Sequence, residues 1–303
     1  MSAQSSQPQA VTEKSGISWF TMVPWLSVHV AALAAFWVGV SPVAIAVCFA
    51  LYWARMFAIT GFYHRYLSHR TYKTSRWFQF LFALLGSSST QKGPLWWAAH
   101  HRHHHLYSDQ ENDVHSPKQR GFWYAHFVWV FDTANNKTRT RLVPDLAKYP
   151  ELRVLDRFDW SVPILLGFMC FGLGVLLEAI VPSLGTNGWQ MLVWGYFIST
   201  VVLAHGTFTI NSLSHLFGRR RFETSDTSRN NWVLALVTMG EGWHNNHHRY
   251  PTAARQGFYW WEIDLTYYGL WFLSKLGLIW DLKKVPARIL AEGRLSKKEI
   301  AAA

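Results

Sequence analysis

Val162 to Val181 reads VPILLGFMCFGLGVLLEAIV, twenty residues carrying one charge, Glu178. A bilayer crossing needs about 17 to 25 predominantly apolar residues, so this stretch is long enough and apolar enough to span. Working outward, three more stretches of the same kind lie at about 17–40, 43–61 and 189–212. Half of the 303 residues are hydrophobic, 17% are aromatic with 18 Trp among them, and only 16% are charged. That composition excludes an ordinary soluble enzyme. The expected architecture is an all-α integral membrane protein of four transmembrane helices with a helical cap on one side.

Charge sets the orientation. The turns at Ser41-Pro42 and at 182–188 hold no Lys or Arg, whereas Arg65, Arg70, Lys73 and Arg76 follow the second span and Arg219-Arg220-Arg221 follow the fourth. Basic loops stay in the cytosol, so the N-terminus, the C-terminus and the long segments after the second and fourth spans are expected there. The same reading accounts for the net charge of +11 without nucleic acid as a partner. Residues 1–16 are polar and read as a disordered tail. Residues 17–280 form one membrane domain, and 281–303 a basic, solvated tail. The short apolar stretches 77–86 and 121–131, and the aromatic stretch 257–280, are expected at the interface rather than across it. Cys48 and Cys170 sit apart in apolar runs, which argues against a disulfide framework or a cysteine-ligated iron–sulfur centre.

On the cytosolic side the chain concentrates its histidines. His100 to His105 reads HHRHHH, five imidazoles in six residues of a protein with 15 histidines. Neutral imidazole is the commonest metal-binding side chain. His101, His104 and His105 are spaced i, i+3, i+4, as are His244, His247 and His248, and each trio projects from one face of a helix. His64 and His69 lie five apart, which demands a helix end or a local irregularity. Asn211 and His215 form an i, i+4 pair at the exit of the fourth span. Two crossings separate the cluster near His100 from that near His244, so all the clusters share one side and could build one dinuclear site. A carboxylate-rich di-iron bundle wants two Glu-x-x-His elements; this chain has one, Glu241 to His244. Glu241, Asp109 and Asp113 are instead candidates to orient the imidazoles. His29, His126 and His205 are expected to be packed or hydrogen-bonded histidines outside the site.

The segments His64-Arg-Tyr-Leu-Ser-His69, His101-Arg-His-His-His105, Asn211-Ser-Leu-Ser-His215 and Gly240-Glu-Gly-Trp-His-Asn-Asn-His-His248 resemble those of the membrane-bound fatty acid desaturases, and among them the stearoyl-CoA (delta-9) type. The resemblance implies a mushroom-like fold and two iron ions held by His64, His69, His101, His104, His105, His215, His244, His247 and His248, with Asn211 nearby as a ligand through water. Zinc is expected only as a substitute ion in purified protein. His100 and His103 fall outside the pattern. The implied reaction is O2-dependent insertion of a double bond, at the delta-9 position, into a saturated acyl chain, with acyl-CoA the first expectation for the carrier. Acyl-CoA members commonly carry Arg-Asp where this chain has Ala99-His100, so acyl carrier protein and membrane lipid stay open. Arg70, Lys73, Lys92 and Arg102 are candidates for the carrier's headgroup. Electrons are expected from a separate donor such as a ferredoxin, a rubredoxin or a cytochrome with its reductase. A membrane hydroxylase acting on an alkane or lipid is the alternative, and a metal transporter or sensor a more distant one.

Overall fold

The computed structural model describes residues 15–294. Among the described residues, four helices are long and apolar enough to cross a membrane: Trp19–Val38, Pro42–Ser68, Ser161–Ile180 and Gly188–Leu216. The second and fourth run to 27 and 29 residues. A crossing consumes about 20 residues at 1.5 Å rise each, so both have a surplus. That surplus continues the two helices into the cap and carries His64 and His215 away from the apolar slab.

Local sequence explains the starts and the irregularities. Ser41 caps the second span by accepting from Ala44 N at 3.1 Å, with Pro42 at the first helical position, the preferred chemistry of a helix start. From Ala58 to Ser68 the same helix widens to a π-helix, and His69 N donates to His64 O at 3.3 Å, an i to i+5 bond. This is the irregularity that the five-residue spacing of His64 and His69 demanded, and π-bulges of this kind recur at functional sites. A second π segment, Met191–Ile198, lies in the fourth span.

The cap is built from short helices over the ends of the long ones. Pro94–Tyr107 carries the HHRHHH run. Its first turn has no side-chain cap of its own, and Asp156 Oδ1 accepts from Trp96 N at 2.7 Å instead, satisfying one of the donors that a helix start leaves free. Gly93 is required there, because a Cβ would lie 2.4 Å from Asp156 Cα. Leu67, Leu95, Ala99, Leu146 and Leu152 are fully buried where this helix meets the second span and the cap's outer helices. A two-stranded antiparallel pair, Lys73–Thr74 with Ile279–Trp280, ties the ends of the cap together.

Both domain edges extend further than the sequence suggests. Ser15 donates to Asp132 at 2.8 Å and Thr133 N donates to Gly16 O at 2.8 Å, so these two residues belong to the folded domain, while the rest of the expected N-terminal tail lies outside the described residues. Residues 281–294 are not a solvated tail: Lys283 N donates to Thr71 O at 2.8 Å, and Ile289 is buried against Phe222, Phe258 and Tyr259. The stretch 257–280 contains the Leu265–Lys275 helix, with Tyr268, Trp271, Phe272 and Leu276 exposed, an apolar face suited to the interface. In 77–86, Trp77, Phe80 and Leu81 are exposed while Phe78 and Ala83 are buried.

Candidate metal centre

Five imidazoles from three segments meet at the top of the second span. The nitrogens of His64, His69, His101, His105 and His247 all lie within 4.8 Å of one another. Successive Nε2 atoms approach closely: His69 to His101 at 2.8 Å, His101 to His105 at 3.0 Å, His105 to His247 at 3.0 Å and His247 to His64 at 3.1 Å. His101, His105 and His247 each touch two neighbours through the same atom. A single Nε2–H cannot point at two partners at once, so the arrangement is a shell of lone pairs around a common point rather than a hydrogen-bond network. Next to it, His104, His215, His244 and His248 form a second set within the same 4.8 Å limit, with His215 Nε2 and His244 Nε2 at 3.1 Å. The Nε2 atoms of His104 and His248 are buried and have no protein partner. The sets adjoin, the rings of His105 and His248 being 4.6 Å apart.

Carboxylates select the tautomer. His64 Nδ1 is 2.5 Å from Glu241 Oε2, His104 Nδ1 2.8 Å from Asp113 Oδ1, His215 Nδ1 3.1 Å from Asp109 Oδ2, and His248 Nδ1 2.6 Å from Asp226 Oδ2. With Nδ1–H donated to a carboxylate, each of these rings turns an unprotonated Nε2 inward, as a metal ligand must. Burial alone would raise the carboxyls of Asp109, Asp113 and Asp226, but the histidines beside them, with Ser116, Thr227 and Ser228 as further donors, hold all three well below the usual carboxylate range. Glu241 is held low in the same way, burial being outweighed by His64 and Arg65. An all-imidazole set with anionic partners behind it suits a divalent first-row transition metal.

The structure brings together all nine sequence-derived histidines and the three sequence-derived carboxylates. Asn211 stands beside them, lining the wall of a narrow pocket shared with His64, His101, His104 and His244. His100 and His103 stay out. His100 Nδ1 lies 2.9 Å from Trp96 O with the ring stacked on Trp96, and burial pushes it down to about 3; His103 packs on Tyr107. His29, His205 and His126 form a separate chain, with nitrogens 3.1 and 3.0 Å apart, ending at Trp25 O and Ser212 Oγ. Ser212 in turn donates to Phe208 O at 3.1 Å.

Asp226 was missed because nothing local marks it; it lies 22 residues before its histidine, outside any helix. His115 was missed as well. Its ring stacks on His104 at 4.2 Å, and its backbone N–H donates to Asp113 at 3.2 Å, which braces that imidazole and its carboxylate from behind. The four basic residues suggested for a headgroup separate. Arg70 and Arg102 both bind Asp145, at 2.6 and 2.8 Å, and Lys73 pairs with Asp281 at 2.8 Å. Only Lys92 lines the large cavity that leads to His101.

The sequence matches the family described as fatty acid desaturase over residues 39–271. The chain belongs to that family. A sn-1 stearoyl-lipid 9-desaturase of Anabaena variabilis is 35% identical over 277 residues, 90% of this chain and 97% of the relative. A sn-2 palmitoyl-lipid 9-desaturase of Nostoc sp. (strain 36) is 37% identical over 221 residues, 71% and 73% of the two chains. An acyl-CoA C20 Delta5-desaturase of Anemone leveillei is 39% identical over 247 residues, 80% and 74%. This desaturase is therefore an integral membrane oxidoreductase of fatty acyl chains with clustered histidines that could hold metal.

Proposed function

We propose that this desaturase introduces a delta-9 double bond into a saturated acyl chain at a di-iron centre on the cytosolic face of the membrane. The observation that carries the reading is the convergence of nine imidazoles, in sets of five and four, at the end of a largely apolar cavity. His64, His69, His101, His105 and His247 would hold one ion, and His104, His215, His244 and His248 the other, with Asn211 beside the second set through water. Bound there, the two irons supply the O2 activation that breaking an unactivated C–H bond requires. The reaction itself calls for iron rather than zinc, which accepts imidazole equally but has no redox chemistry.

The balance is one –CH2–CH2– unit, one O2, two electrons and two protons giving –CH=CH– and two waters. The residues of this chain hold the imidazoles fixed through Glu241, Asp113, Asp109 and Asp226. They keep the reacting methylenes in an apolar channel beside Trp97 and Thr207, so that one carbon pair is presented and water is excluded. The two electrons come from a separate donor such as a ferredoxin, a rubredoxin or a cytochrome. The names of the Anabaena and Nostoc relatives support the 9-position and an acyl-lipid carrier, whereas the Anemone relative is named for the 5-position and an acyl-CoA carrier.

Expression in a host lacking its own desaturase, followed by fatty acid mass spectrometry with double-bond localisation, tests the reading. A new delta-9 alkene is expected, and His104→Ala should abolish it. Hydroxylated chains without alkene would replace the reading with a hydroxylase, and full activity of H104A would remove His104 from the ligand set.

A further inference from the structure

The large cavity, of about 990 Å³, is more than an approach to the imidazoles. It follows the fourth span between two ends. At the cap end it is lined by Trp97, His101 and Asn211, and at the other by Phe168, Phe171, Trp189 and Leu192. Between the ends lie Gln91, Lys92, Asp159 and Trp160, at the level where the third span begins. The first and third spans each pack on the fourth, and the side facing out between them is edged by Phe20, Ile164 and Phe168, which are 91%, 49% and 72% exposed. On spans this apolar, exposed aromatic and aliphatic residues face lipid. The cavity thus opens sideways into the bilayer, with one limb rising to the imidazoles and one descending along the spans.

The junction of the limbs is the only part of the lining that carries charge, one residue of each sign. Lys92 and Asp159 make no ion pair among the described residues, and Lys92 Nζ is placed 5.9 Å from the Trp96 ring. Lys92 (φ +68) and Thr90 (φ +60) both take left-handed backbone conformations, costly for side-chain-bearing residues and typical of functional loops. Gln91 Nε2 fixes that loop by donating to Thr207 Oγ1 at 3.0 Å. A coenzyme A carrier brings several phosphates and calls for clustered cations. Here Arg70, Arg102 and Lys73 are engaged with Asp145 and Asp281, away from the cavity.

Resting on the reading of the site as an acyl desaturase, we propose that the substrate is an intact diacyl glycerolipid with a neutral or zwitterionic headgroup, admitted from the bilayer between the first and third spans. Its glycerol backbone sits at Lys92 and Asp159, its reacting chain occupies the upper limb and its second chain the lower. Lys92 donates to the ester carbonyl of the reacting chain. Pro94 to His101 is seven residues of helix, about 10 Å at 1.5 Å per residue, so a carbonyl held at Lys92 sets mid-chain carbons beside the imidazoles. A one-chain soluble thioester would leave the lower limb empty.

The test uses the full chain reconstituted in phosphatidylcholine nanodiscs, with a diacyl phosphatidylcholine carrying a photoactivatable diazirine on one chain or the other. Mapping of labelled peptides should find the probe near Trp97 and Thr207 for one isomer and near Phe168 and Leu192 for the other. Leu192→Trp fills the lower limb and should lower labelling by the diacyl probe about ten-fold relative to a monoacyl lysolipid probe, whereas Leu192→Ala, which enlarges the limb, keeps diacyl labelling. Labelling confined to the outer span surfaces, equal loss of both probes in L192W, or displacement by stearoyl-CoA at lower concentration than by diacyl lipid would overturn the proposal. Alkene formed from acyl-CoA without diacyl labelling sinks the proposal and leaves the desaturase reading standing. Diacyl labelling in both limbs without alkene from any carrier does the reverse.

Discussion

Asp226 Oδ2 lies 2.6 Å from His248 Nδ1. The carboxylate also accepts from Ser228 N at 2.9 Å, so it is fixed on one side by the loop and on the other by the imidazole it orients. Asp226→Asn keeps the size but offers the ring a weaker, neutral partner. Partners of this kind are worth about 10- to 100-fold in metal affinity. Metal titration of the purified variant, read by elemental analysis, is expected to show a loss in that range. Unchanged affinity would mean that the contact has no part in holding metal.

Arg65 is fully buried between two carboxylates, 3.1 Å from Glu241 and 2.9 Å from Asp264, and donates to Ala254 O at 2.8 Å. Removing a buried cation leaves its anions unpaired, at a cost of about 3–5 kcal/mol. Arg65→Met should therefore lower the thermal unfolding midpoint in detergent sharply and reduce metal retention, because Glu241 is freed from one side. A midpoint within a degree of the parent protein would contradict this account of the cap.

His205 links the first span to the cap through His29 and His126. Replacing it with Phe leaves one ring nitrogen of His29 and one of His126 without a partner, an expected loss of about 1–3 kcal/mol. Metal content should be unchanged, since the chain is separate from both imidazole sets. A fall in bound metal without a fall in stability would be the opposite result and would assign this chain to the metal site.

Asp145 carries the acid sensitivity of the Arg70–Arg102 brace. Burial alone would raise its carboxyl, but hydrogen bonds from Arg102 and Arg70 bring it down to about 2. A carboxyl depressed on folding stabilises the fold fully above its unfolded value, about 3.9, and the contribution disappears as pH falls to about 2. Acid unfolding followed by tryptophan fluorescence should lose part of its slope between those values in Asp145→Asn. An unaltered profile would place the acid-sensitive group elsewhere.

The sequence by itself determines the spans and the candidate ligands, because both are properties of short range. Hydropathy over some twenty residues marks a crossing, and the i, i+3, i+4 spacing of His101, His104 and His105 sets three imidazoles on one face of a helix. Even the five-residue gap from His64 to His69 demanded a helix end or a local irregularity, and the structure supplies the latter as a π-helix. Where the second and fourth helices end was not legible, since hydropathy falls at the membrane surface while the helix continues into the cap. Only the tertiary structure divides the nine histidines into five and four, joins Asp109 to His215 across 106 residues and Asp226 to His248, and commits Arg70 and Arg102 to Asp145 rather than to substrate. It alone opens the largely apolar cavity that Lys92 lines. Those features depend on which surfaces meet when distant segments pack, and a tautomer, an ion pair or a cavity exists only once both of its sides are in place.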